Sequence, residues 1–263
     1  MHPLLSRPFS YVGVVHLLPL PAGPRPSQGF AEVRARALHD ARALAEGGAH
    51  AAILENYGDA PFPAGPVDPH VVAFVAALAS ELRARHPQLA LGINLLRNDA
   101  RAAMGVAAAC GAAFVRVNVH VGAMVTDQGL LQGDAHATLR YRRELGADVG
   151  IAADVLVKHA VPLGTADVGA TAADSWHRGG ADVLIVTGQG TGMAADPARA
   201  EAVRVAVPEA RVWVGSGVSE ATAGAWRERV HGAIVGTALH RDGDARAPLD
   251  PARVARMGRA LGV

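Results

Sequence analysis

The chain has 263 residues, half of them hydrophobic, and its 25 Lys and Arg against 24 Asp and Glu leave a formal net charge of +1. So even a balance argues against nucleic acid as a partner, because an electrostatic binder needs a basic face. The single cysteine, Cys110, excludes an internal disulfide, and no window reaches the ~18 uninterrupted apolar residues of a membrane-spanning helix, so membrane insertion is not expected.

Taken in order, apolar runs at 11–17, 51–55, 89–96, 114–120, 150–158, 181–187, 211–215 and 233–239 each stop at a polar or glycine-rich cluster. Helical patterns follow them at 30–46, 68–85, 99–109, 136–145, 166–178, 197–205, 219–229 and 251–261. Continuous apolar runs suit parallel strands buried on both faces. Asp68, Asp99, Asp196, Ser219 and Asp250 stand at N-cap positions, and Pro69, Pro197 and Pro251 at the turns behind three of them. Helix-to-strand connections are short and glycine-bearing, whereas 18–29, 56–67 and 121–134 are long. That asymmetry is expected of a barrel with one functional face.

Strand and helix alternating eightfold place the chain in the α/β class as a single (β/α)8 TIM barrel, with function at the C-terminal ends of the strands. A length near the roughly 250 residues of one such barrel makes 1–263 one expected domain. The rival doubly wound dinucleotide fold lacks its Gly-x-Gly-x-x-Gly signature at the first strand-helix turn. The opening MHPLLSRPFSYVGVVHL has no long apolar segment after a basic start, which gives a cytoplasmic expectation.

Two groups of residues mark the predicted mouth. Gly215-Ser216-Gly217 follows the seventh strand and Gly236-Thr237 the eighth, where many barrels hold phosphate on backbone amides. Thr187 and Gly188 open a glycine-rich run, 187–192, that adds amides and hydroxyls on the same side or acts as a lid. The alternative for all these glycines is a purely conformational role in tight turns. No Lys or Arg lies in these loops, so neutral amides would carry an anion.

Opposite stands a charged group. Glu55 ends the second strand as a plausible general base, and alternation puts Asp154 and Lys158, the only lysine of the chain, on one face of the fifth. Lys158 suits a general acid, a general base or a Schiff-base nucleophile, or else an ion pair that holds the barrel together. His16, Asn94, Arg116 and Asn118 are candidate substrate contacts, with His16 also a candidate acid or base. No cofactor is firmly implied. Glu55, Asp59, Asp99, Asp127 and Asp154 leave a divalent metal possible, yet no motif fixes its ligands.

Seven segments resemble one family. They are the runs 13–21, from Gly13-Val14-Val15-His16, and 55–62, from Glu55-Asn56-Tyr57-Gly58-Asp59; Asn94 to Ala100; Arg116-Val117-Asn118-Val119; Thr126-Asp127-Gln128-Gly129; Asp154 to Ala160; and Gly215-Ser216-Gly217-Val218. Over roughly 11–243 the chain is similar to the BtpA/SgcQ family. That resemblance implies a barrel similar to the ribulose-phosphate-binding barrels, one branch associated with photosystem I accumulation and another with sugar uptake. It assigns no reaction, so it transfers no catalytic residue. The Arg- and Ala-rich composition is a point of difference.

The leading expectation is therefore an enzyme acting on a phosphorylated sugar or nucleotide-like metabolite, with Glu55, Asp154 and Lys158 catalytic and isomerase, lyase and hydrolase chemistry all open. The alternative is a non-catalytic assembly or stability factor, like one for photosystem I biogenesis, presenting Tyr57, Pro61, Phe62 and Pro63 as an apolar patch. Phe62 discriminates between them, since burial over the mouth favours a lid and outward exposure a docking surface. A homo-oligomer is expected from the habits of soluble barrels.

Overall fold

Apolar runs that alternate over two faces, both of them covered, build the barrel. The computed structural model describes residues 2–164, 166–188 and 194–263. Its strands are β1 (Ser10–His16), β2 (Ala51–Glu55), β3 (Ala90–Asn94), β4 (Phe114–Val117), β5 (Ala123–Thr126), β6 (Gly129–Gln132), β7 (Gly150–Val155), β8 (Ala160–Pro162), β9 (Val183–Val186), β10 (Val212–Val214) and β11 (Gly232–Val235). Eight of these close a parallel barrel in the order β1-β11-β10-β9-β7-β4-β3-β2. Helices α1 (Phe30–Glu46), α2 (Pro69–Arg85), α3 (Ala100–Cys110), α4 (Ala135–Glu144), α5 (Val168–Ala173), α6 (Pro197–Ala206), α7 (Ala223–Arg227) and α8 (Pro251–Ala260) follow successive barrel strands. The fold is a (β/α)8 barrel.

Two cores result from the period of two along each strand. Val15, Leu54, Leu91, Ile93, Val115 and Ala153 point outward into the large core under the helices. Val12, Val14, Ile53, Phe114, Ala152, Ile185, Trp213 and Ile234 point inward, where Leu4 and Leu5 of the 3-10 turn Pro3–Ser6 join them. Inside, Phe114 meets Trp213 edge to face, with ring centroids 5.4 Å apart. Continuing the same inward alternation to the strand ends brings His16, Glu55, Asn94, Arg116, Asn118, Asp154, Thr187, Gly215 and Gly236 to one rim.

Several expected boundaries move. The runs 89–96, 114–120, 150–158 and 233–239 stay apolar beyond the ladder, but their strands end at Asn94, Val117, Val155 and Val235. Loop residues there are buried for other reasons. Asn56 Oδ1 accepts from the Leu96 amide at 2.8 Å, and Asn98 brackets Val119 by accepting from its amide and donating to its carbonyl. Asp99, Asp196 and Asp250 cap their helices through the side chain, whereas Asp68 makes no such bond.

The helix expected at 219–229 is only the five-residue α7. Ser219 is not its cap: its amide donates to Thr222 Oγ1 at 3.0 Å, folding 219–222 into a turn instead. The helix expected at 166–178 is α5 followed by the π-helical turn Asp174–Arg178. The long connection 121–134 holds a hairpin, β5–β6, to which β8 adds in an antiparallel sheet of order β6-β5-β8. Met124 and Leu131 bury its inner face on Val119 and Val157, while Val125, Leu130 and Val161 form a row on the outer, exposed face.

Candidate functional site

Every predicted site residue outside 189–193 lies at the C-terminal mouth, where two cavities of about 220 Å³ and about 370 Å³ share Glu55, Tyr57, Arg116 and Lys158. The smaller is walled by Gly215–Ser219 and Gly236–Ala238 together with His16. Phe62, Arg97, Asn118, Asp127 and His159 line the larger. Phe62 is half-buried at the mouth, on the side expected of a lid, while Pro61 and Pro63 beside it are exposed.

Arg116 and Asp154 form the floor. Both are buried, and Asp154 accepts from Arg116 Nε and Nη2 at 3.1–3.3 Å and from Asn118 Nδ2 at 2.8 Å. Asn94 Nδ2 donates to Asn118 Oδ1 and to the Arg116 carbonyl, each at 3.1 Å, which completes a polar layer across three strands. Burial opposes the guanidinium charge of Arg116, but the Asp154 and Glu55 carboxylates outweigh it and hold the group more firmly protonated than usual. Asp154 is thus saturated by donors, while Asn94 Oδ1, buried without a partner, is left to accept.

Glu55 and Lys158 are placed differently. The ion pair of the mouth is Arg116–Asp154; His16 Nε2 stands 3.9 Å from Glu55 Oε1, a contact that is ionic only if the ring is protonated, and among the described residues Lys158 makes no ion pair. β7 stops at Val155, and Leu156 has φ of +53°, so Lys158 reaches the mouth through a turn and not by strand alternation. Arg199 holds that turn by donating from Nη2 to the Val155 and Leu156 carbonyls, and Arg97 Nη2 donates to the Lys158 carbonyl at 2.8 Å. Burial first, then the Arg116 charge, lowers the Lys158 pKa, with Glu55 and Asp154 acting in the opposite sense. A half-buried ammonium without a direct ionic partner among the described residues is suited to a ligand's charge or carbonyl oxygen.

On the opposite side the Gly215 amide is engaged with the Val186 carbonyl at 2.8 Å, so it belongs to the ladder. The amides of Ser216, Gly217, Val218, Gly236, Thr237 and Ala238 donate to no backbone carbonyl among the described residues. Thr187 Oγ1 and Ser216 Oγ are buried and unpartnered there. Gly217 has φ of +65°, which glycine adopts freely. Gly215 and Gly236 also have packing reasons: a Cβ would meet Ile185 Cγ2 at 2.7 Å in the first case and His16 Cε1 at 2.9 Å in the second. Gly188 is buried just beyond β9, and the rest of its glycine-rich run, 189–192, lies outside the described residues.

His16 meets a residue that the motifs did not single out, His240, whose Nε2 lies 2.8 Å from His16 Nδ1. The rings lie edge to edge and nearly parallel, with centroids 5.0 Å apart and planes 22° apart, and Tyr57 packs on His16 with centroids 4.6 Å apart. Burial, then the His240, Lys158, Arg116 and Arg36 fields, pushes the His16 pKa far down. His240 carries no sequence signal, because it follows the eighth strand by five residues and becomes adjacent to His16 only when the barrel closes. Arg97 and Tyr57 are site residues whose segments were noted but whose place was not.

Among the described residues no three of His, Cys, Asp and Glu gather as a metal-ligand set. The carboxylates considered for a metal have other bonds: Asp59 accepts from the Leu20 amide, Asp99 from those of Val67 and Ala102, and Asp127 from Gln128. No helix among the described residues is long and apolar enough to cross a membrane.

The BtpA family model matches residues 8–261. The chain is 44% identical over 253 residues to the photosystem I biogenesis protein BtpA of Synechocystis, covering 95% of this chain and 87% of that one. It is 40% identical to a protein of Thermococcus kodakarensis, with 88% and 87% covered, and 32% identical to a mitochondrial protein of Caenorhabditis elegans, with 95% and 92% covered. Among solved structures it resembles phosphoribosyl anthranilate isomerase of Thermus thermophilus (TM-score 0.55, 12% identity, 96% and 98% covered). It also resembles the tryptophan synthase α subunit of Legionella pneumophila (TM-score 0.57, 14% identity, 96% and 92% covered). At such identities the likeness is one of fold.

Proposed function

This chain belongs to the BtpA family, and from that premise we propose that its barrel mouth binds a phosphorylated sugar or nucleotide-like metabolite and carries out proton-transfer chemistry on it. One observation carries the reading. Residues 216–218 and 236–238, whose amides have no backbone acceptor among the described residues, wall a cavity that Glu55, Lys158 and His16 also line, with the unpartnered Ser216 hydroxyl among them. Amides and hydroxyls would take the phosphate without a fixed counter-charge, and Arg116 and Lys158 would supply positive potential from the shared wall. Glu55, with no direct hydrogen bond among the described residues, would accept a proton, and Lys158 would polarise a carbonyl or hydroxyl oxygen. Asp154 would act by holding Arg116 and Asn118. Isomerisation, lyase and hydrolytic reactions all use such a step.

The second reading is an assembly or stability factor, and the name of the Synechocystis relative favours it more than the shared fold favours catalysis. Its contact surface would be the exposed row Val125, Leu130 and Val161 on the outer face of the β6-β5-β8 sheet.

Thermal melting tests the choice, with wild type and Gly217→Asp heated against inorganic phosphate, ribose 5-phosphate, adenosine monophosphate and the unphosphorylated counterparts. A ligand at 100 times its Kd stabilises by ~2.7 kcal/mol, a rise of several degrees for a domain of this size. The expected result is a rise confined to phosphorylated compounds and lost in the variant. No rise with any of them overturns the phosphate site and leaves the second reading.

A further inference from the structure

The hydrogen-bond chain behind His16 determines where its proton sits. The Ala247 carbonyl can only accept, and it stands 2.6 Å from His240 Nδ1, so His240 carries its proton on Nδ1 and offers Nε2 as a lone pair. His16 Nδ1, 2.8 Å from that lone pair, must then be the donor. The remaining nitrogen, His16 Nε2, is consequently bare, on a ring that lines the smaller cavity. Arg36 donates to the same Ala247 carbonyl and to Asp40, which is fully buried and also accepts from the Leu249 amide, so the far end of the chain is anchored.

The bare nitrogen faces Glu55 Oε1 at 3.9 Å. Two acceptors at that separation repel unless a hydrogen donor lies between them or beside both. We infer that His16 Nε2 and the Glu55 carboxylate together receive a ligand hydroxyl, with His240 as the positioning residue that keeps His16 in its Nδ1–H tautomer. The ligand class is thereby narrowed to a phosphorylated compound that bears a hydroxyl. The groups facing His16 are Glu55 from β2, Tyr57 from the following loop, Arg116 from β4, Lys158 from beyond β7, and His240 with Arg36 behind it. Burial and the four cationic or imidazole neighbours favour the neutral ring, consistent with a lone pair held ready. The inference rests on the mouth being a phosphate-ligand site, but its first test needs no ligand.

That test is nitrogen-15 NMR of the histidine-labelled full chain. The expected spectrum has His16 and His240 both protonated at Nδ1 only, remaining neutral below the ~6.5 at which unperturbed histidines titrate. A proton on His16 Nε2, or titration of His16 near that value, overturns the inference. His240→Phe removes the acceptor and should release the tautomer of His16. His240→Gln can still donate to Ala247 and accept from His16, and should preserve it. If the glutamine variant folds yet loses the tautomer, His240 is not the positioning group.

Ligand binding supplies the second readout. Ribose 5-phosphate should lose on the order of tenfold in affinity in His240→Phe, as for one good hydrogen bond, with the loss largely restored in His240→Gln and inorganic phosphate unaffected in both. Equal losses for phosphate and ribose 5-phosphate overturn the hydroxyl assignment. Should neither ligand bind even the wild type, the phosphate reading falls and the hydroxyl assignment with it, while the tautomer measurement still decides the role of His240.

Discussion

The two ends of one barrel are built from the same strands by opposite rules. At the N-terminal end Leu4 and Leu5 close over Phe114, Trp213 and Ile185, an interior without charge. At the C-terminal end, two or four residues along the same strands, the inward positions hold His16, Glu55, Asn94, Arg116 and Asp154, all buried. The apolar end gains free energy from burial, whereas the charged end must hold its buried groups in register at a desolvation cost that apolar side chains would not incur. Such an arrangement persists where a ligand uses it.

The contrast is broken most strongly by removing one member from each end. Phe114→Ala should destabilise by about 3–5 kcal/mol through the cavity it leaves, and Asp154→Ala by about 3–5 kcal/mol because Arg116 is left buried without its acid. Urea unfolding should show similar losses. Only Asp154→Ala should also abolish the rise in melting temperature given by a phosphorylated ligand.

A smaller effect depends on pH. His16 and His240 have lowered pKa values in the folded protein, both chiefly through burial. Above ~6.5 neither state is protonated; below it the unfolded chain binds a proton that the native one refuses, so stability falls with pH until the native pKa is reached. The slope should be about 1.4 kcal/mol per pH unit for each histidine. Replacing His16 with Gln should make the stability profile between about pH 6.5 and the lowered native value shallower by that amount. An unchanged slope would mean that His16 titrates normally.

Lys158→Met should change stability by no more than about 1 kcal/mol, since the ammonium has no direct ionic partner in the mouth, yet remove turnover of any substrate found. Full turnover would exclude Lys158 from the chemistry. Least of all, Val161→Thr on the exposed sheet should shift stability by under about 0.5 kcal/mol and leave ligand response intact. Under the assembly reading the same change would instead weaken partner association.

Much of the rim was legible in advance because strand alternation is local. A run that ends at Glu55, and the alternation that puts Asp154 on one face of the fifth run, 150–158, are enough to bring both side chains to the end of the ladder. The hairpin β5–β6 escaped because its strands are four residues each and its turn, Asp127-Gln128, lacks the Asn-Gly or Asp-Gly signature. The helix expected at 219–229 failed for a related reason: a serine before an apolar run suggests a cap, but the Thr222 hydroxyl competes for the Ser219 amide and turns the chain first. Lys158 reached its expected place by an unexpected route, through the left-handed Leu156, which no periodicity predicts.

What the amino-acid order alone determined was the eightfold alternation, the barrel and the list of side chains at its mouth, because each depends on residues near one another in the chain. Which of those side chains are satisfied and which are free was decided only by closure. Arg116 and Asp154 are 38 positions apart and His16 and His240 are 224 apart, so their bonds exist only once the parallel strands fix their register. Those bonds occupy Asp154, leave Glu55 and Lys158 without direct partners among the described residues, and leave one imidazole nitrogen of the cavity-lining His16 bare.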